Sequence, residues 1–132
     1  MAVIENRTLR PRLPDLDKLD WRRFCFEFDR RSDTLYWDFS PDAPPAVSYP
    51  VSDHLLYSVD PETEEVVGLQ FDGFLAHVVH KVPAFLALAD EIGLTEADVA
   101  EVRRRSDAER ERRASMHSIL ATILPRKVAA GV

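Results

Sequence analysis

FCFEFDRRSDTLYWDFS, residues 24–40, and VSYPVSDHLLYSVDPETEEVVGLQF, residues 47–71, alternate apolar and polar side chains two by two. Phe24, Phe26 and Phe28 fall on one side of the chain and Cys25, Glu27 and Asp29 on the other, after which Leu35, Trp37 and Phe39 oppose Tyr36, Asp38 and Ser40. A repeat of two residues is the repeat of an extended strand, so these runs predict an antiparallel sheet with one buried face, and Phe26 and Trp37 as core residues. Residues 29–34, Asp-Arg-Arg-Ser-Asp-Thr, supply Asp and Ser side chains that bond nearby amides and close the first hairpin. Pro50 lacks a ladder donor, which puts the strand around Val47 and Val51 at a sheet edge. Asp60-Pro61 predicts a type I turn before Val67, Leu69 and Phe71, and Gly68 inside that run predicts a bulge or a close approach by another element. Cys25, Tyr36, Leu56 and Val66 make the second face partly apolar as well.

Helical signals follow the sheet. Asp72-Gly73 breaks the strand, and Phe74, Leu75, Val78, Val79 and Val82 then recur at helical spacing until Pro83. Phe85, Leu86, Leu88 and Ala89 belong to a second short helix that Gly93 caps. These two helices are expected to cover the sheet. Thr95 and Asp98 resemble a capping box and open a longer helix whose centre, residues 103–113, is charged on every side, with Glu101 and Arg105, and Glu109 and Arg113, one turn apart. Beyond it Met116, Ile119, Leu120, Ile123 and Leu124 form an apolar stripe before Pro125. Two placements stay open for that stripe: projecting from the domain, or folded back on the sheet. Upstream, Pro11 and Pro14 interrupt Leu9, Leu13, Leu16 and Leu19, so residues 1–23 read as an arm with one helical turn.

At 132 residues the chain is long enough for one domain with its own core. Its hydrophobic content of 45% and charged content of 30% are those of a globular protein, with no apolar run approaching the ~18 residues of a membrane span. Residues 1–14 lack a secretory apolar core and Cys25 stands alone, so the cytoplasm is expected. Charge is segregated. Residues 24–95 hold 13 acids and 3 bases, residues 96–113 hold 6 of each, and residues 114–132 hold no acid and 2 bases. A sheet module at −10 repels a phosphate backbone, which argues against nucleic acid as a partner.

Candidate chemistry is sparse. His77 and His80 stand three apart on a helical stretch, but no third ligand is evident, and solvent-side histidines opposite Phe74, Val78 and Val82 are the simpler expectation. Cys25 lies opposite the phenylalanines and reads as a structural thiol. Asp33, Tyr36 and Asp38 form an acid/base set on paper, yet Asp33 suits a turn and Asp38 a solvated strand position. No phosphate-binding glycine loop, nucleophile elbow or zinc-ligand spacing occurs, so no catalytic, cofactor-binding or metal residue is assigned and no cofactor is expected.

Phe28-Asp29, then Asp33-Thr34-Leu35-Tyr36, and later Val59-Asp60 with Val66-Val67-Gly68-Leu69-Gln70 resemble a small bacterial domain-of-unknown-function family, DUF 2283, over about residues 24–74. Glu64 stands where that family usually has a turn glycine, and Gln70 where it usually has an acid. The resemblance implies a small antiparallel sheet and no established activity.

The expected architecture is α+β: a four- or five-stranded antiparallel sheet with helices on one face and a projecting C-terminal helix. The arm is residues 1–23, the sheet with its covering helices 24–95, and the last helix and tail 96–132. The expected function is a non-enzymatic, self-associating or protein-binding module, most simply a homodimer. The alternatives are a small-ligand-binding or enzymatic protein with a site between sheet and helices, marked by a cleft gathering His77, His80 or Asp72, and an antitoxin-like regulator.

Overall fold

The computed structural model describes residues 8–124. Its centre is a five-stranded antiparallel sheet built from β1 (Cys25–Asp29), β2 (Thr34–Asp38), β3 (Val47–Ser52), β4 (Leu55–Val59) and β5 (Val66–Asp72), in the spatial order β1-β2-β5-β4-β3. The last of these strands, β5, is thus the middle strand of the sheet. The registers Phe28↔Leu35↔Phe71 and Phe26↔Trp37↔Leu69 carry the apolar alternation across strands onto one face. β3, with Pro50, is an edge, where the missing N–H costs no ladder bond.

Gly68 meets both of its expectations. The β4–β5 register shifts between Ser58 and Val59, and a Cβ on Gly68 would lie 2.7 Å from the Trp37 carbonyl oxygen. The shift also turns Val66 to the core side, where with Val47 and Val59 it forms a small cluster edged by Leu9, Phe39, Tyr49, Tyr57 and Leu69. Val66 therefore does not belong to the second face. The loop before it differs from a type I turn as well: the Glu64 amide donates to the Asp60 carbonyl across five residues, with Glu64 in the left-handed region at φ 62.

The main core lies over the β1-β2-β5 half of the sheet. Leu35, Phe74, Val78, Val79, Phe85, Ile92, Leu94 and Val102 are buried in one cluster, flanked by Phe28, Phe71, Leu75 and Val99. The covering layer is irregular where two short helices are expected. Residues Phe74–Val78 make a single π-helical turn and Pro83–Leu88 a 3₁₀ stretch that runs into the one-turn helix α1 (Ala89–Ile92), closed by Gly93 at φ 90. Consecutive β-branched residues and Pro83 explain the broken helix. Val82 adopts φ −127, ψ 72 because the next residue is proline, which turns its side chain out of the core stripe to 46% exposure.

α2 (Glu96–Ile123) begins at the expected capping box, with the Thr95 side chain accepting from the Asp98 amide and the Asp98 carboxylate from the Thr95 amide. Val102 is its buried residue, and every position of 107–124 is exposed. Of the two placements left open for the apolar stripe, the projecting one is observed. The arm is more tied down than a loose extension: the Arg12 amide donates to the Glu64 carbonyl and the Arg12 carbonyl accepts from the Val66 amide, while Leu9 packs on the Val47 cluster. Beyond that point two 3₁₀ turns, Leu16–Lys18 and Trp21–Arg23, lead into β1, with Leu13 and Leu16 exposed.

Candidate functional site

The turn between β1 and β2 positions the helical layer. Asp33 sits at φ 54, and its two carboxylate oxygens accept from the Leu75 and Ala76 amides at 2.8 and 3.0 Å while its carbonyl accepts from Phe74. Arg30, in the same turn, makes two hydrogen bonds to the Asp98 carboxylate at 3.1 and 2.8 Å. That guanidinium, together with the Thr95 amide and hydroxyl, holds the Asp98 carboxyl at about 2, well below the usual range. Asp33 is thus an anchor for the amides opening the π-helical turn, a role its sequence neighbourhood did not reveal.

The remaining acid/base candidates do not converge on Asp33. Tyr36 and Asp38 stay on the open face of the sheet, where Tyr36 pairs across from Glu27 and Asp38 from Cys25. Desolvation, then repulsion from Glu27, raises the Asp38 carboxyl. The half-buried Cys25 donates to the Arg23 carbonyl at 3.5 Å. Asp72 accepts from Gln70 at 3.0 Å. Among the described residues no three His, Cys, Asp or Glu side chains are placed to hold a metal ion.

Two of the concave surfaces among the described residues gather candidate side chains. The first, about 620 Å³, opens between the π-helical turn and α2 and gathers His77, His80, Arg104, Arg105, Arg112 and Arg113 around Glu109. His77 is exposed and stacks on His54 at 4.6 Å between ring centres. His80, expected in solvent, is instead largely covered by α2, with Nε2 3.3 Å from Glu109 and Nδ1 buried without a partner among the described residues. Arg105 also donates to the Leu75 carbonyl and pairs with Glu101, as Arg104 does. The cleft is cationic in a chain of net charge −6.

The second is an aromatic groove of about 570 Å³ walled by Trp21, Phe24, Phe26, Trp37 and Leu88, with Arg22 and Glu91 beside them. Here Phe26 and Trp37, expected as core residues, pack against the core cluster and are partly buried, each also lining the groove. Phe26 and Trp37 pack ring on ring at 5.0 Å, and the Trp37 indole N–H is buried without a partner among the described residues. A further apolar surface is convex. Met116, Ile119, Leu120, Ile123 and Leu124 are 54–70% exposed along the end of α2. No helix among the described residues is long and apolar enough to cross a membrane. Comparison with protein-family models, curated proteins and solved structures finds no significant match.

Proposed function

We propose that the chain is a non-enzymatic, cytoplasmic interaction module that self-associates, most simply as a homodimer, through the end of α2. The observation that carries this reading is the stripe of five exposed apolar side chains on a helix that has left its own domain. Burying each such side chain contributes up to about 1.5–3 kcal/mol, a strong incentive for a second surface to cover the stripe. The resemblance of residues 24–74 to the DUF 2283 family belongs to the same reading, supported by the left-handed backbone of Glu64 where that family carries glycine. Light scattering tests it: the unaltered chain is expected at dimeric mass and the Leu120→Glu variant at monomeric mass. A monomeric unaltered chain at ~100 µM rejects self-association at cellular affinities.

A second reading rests on the cleft that brings His77 and His80 together with four arginines. It is a site for a small anion, with no nucleophile or metal set assigned to it. Calorimetric titration with pyrophosphate tests this reading, which requires salt-sensitive binding that Arg112→Ala weakens. An antitoxin-like role is less well supported, because the cations lie in a cleft shared with Glu109 and not on the sheet.

A further inference from the structure

The exposed stripe of α2 and the aromatic groove are two large apolar surfaces left uncovered among the described residues, one convex and one concave. Met116, Ile119, Leu120 and Ile123 follow the i, i+3, i+4, i+7 spacing by which a helix seats its apolar face in a groove. Leu120 comes about five turns after Val102 on the same side of α2, so the face that enters the chain's own core near the start of the helix runs on past it, uncovered, at the end. Charge argues against two tips meeting each other. From Arg112 onward the sequence has four bases and no acid, so a tip-to-tip pair would bring like charges together. Residues 24–95, which supply every wall of the groove except Trp21 and Arg22, hold 13 acids to 3 bases, so the body that carries the groove is opposite in charge to the tip. The tip cannot reach the groove of its own chain, because α2 runs unbroken to Ile123 with residues 107–124 exposed.

We propose that the aromatic groove formed by Trp21, Phe24, Phe26, Trp37 and Leu88 receives the α2 tip of a second copy of this chain, and that reciprocal insertion closes a two-fold dimer. This rests on the self-association reading and specifies its interface. A mutual exchange uses both surfaces of both copies and leaves no open end for further growth. Trp21, at 70% exposure, is the wall that the incoming helix would cover, and Arg22 and Glu91 are the polar groups at its rim.

The chain has two tryptophans, Trp21 and Trp37, and both line the groove, so their emission reports its occupancy directly. Light scattering and emission are to be followed for the full chain, for Leu120→Glu, which spoils the tip, and for Trp21→Ala, which spoils the groove at an exposed position. The unaltered chain is expected to dimerise with emission that shifts to the red on dilution, and each variant to dimerise at least about tenfold more weakly. Mixing the two variants restores one intact tip-in-groove contact, so the mixture is expected to associate and to shift the Trp21 emission of the Leu120→Glu chain to the blue. A Trp21→Ala chain as dimeric as the unaltered one, or a mixture without any shift at millimolar concentration, overturns the groove as the seat while leaving self-association standing. A monomeric unaltered chain removes both.

Discussion

Asp33 shows how a single side chain can couple two layers. Replacing it with Ala leaves the Leu75 and Ala76 amides without their charged acceptor and is expected to cost about 1.5–3 kcal/mol in urea unfolding. Asp33→Asn should cost less, since Asn keeps an acceptor and tolerates the left-handed backbone. Equal losses for the two would show that charge, not acceptor geometry, makes the anchor. From the sequence Asp33 reads only as a turn residue, because its partners lie 42 and 43 positions downstream and no local pattern points to them. Gly68, by contrast, is legible as a special position, and Gly68→Ala is expected to destabilise by about 1–3 kcal/mol by pressing on the Trp37 carbonyl. Asp98 gives a pH signature. Its folded pKa is depressed to about 2, so the stability it adds is present above its ordinary range and is lost as pH falls toward 2. Asp98→Asn should therefore cost about 1 kcal/mol near neutrality, discounted for the half-exposed Arg30, with the gap to the unaltered chain closing below pH of about 4.

Strands are the most legible elements here and the covering helices the least. Alternation survives translation into structure because one sheet face carries the apolar clusters, so each strand has to present its apolar side to that layer. Val66 escapes the rule through the bulge beside it, and Val82 through the proline after it. The helical run 74–88 carries a sound apolar spacing but too many β-branched residues and an internal proline, and it folds into π and 3₁₀ turns. α2 is legible in full within the described residues, including its cap and its coreless centre. Its two ends are expected to respond differently to substitution. Val102→Ala should cost about 2 kcal/mol in the monomer, whereas Leu120→Ala measured at low protein concentration should stay within about 0.5 kcal/mol of the unaltered chain. A large loss from Leu120→Ala in dilute monomer would mean that the tip packs on its own domain.

At the scale of the whole molecule, the segregation of charge along the chain becomes a segregation in space. The sheet and its cover are acidic, whereas most of the bases belong to the arm and to α2, four of them lining the cleft beneath α2. The aromatic groove is not legible in advance, since it combines Trp21 from the arm with Leu88, and the cleft is legible only in His77 and His80, since its arginines come from α2. If opposite charges bring the tip of one copy to the body of another, raising salt from low to physiological ionic strength should weaken the dimer measured by light scattering. A dimer that salt strengthens would instead point to a purely apolar contact between like-charged tips.

The placement of β5 in the middle of the sheet also sets the order in which the chain can assemble. Val59 and Val66 are joined by a short loop, so β3, β4 and β5 close through local contacts, whereas pairing Leu35 with Phe71 requires a much longer loop to close and loses more chain entropy. The three-stranded meander is therefore expected to form early, with the β1–β2 hairpin docking onto its free side in the later step. Tyr49 and Tyr57 lie in the early unit and Tyr36 and Trp37 in the late one, so the indole of Trp37 marks the later step.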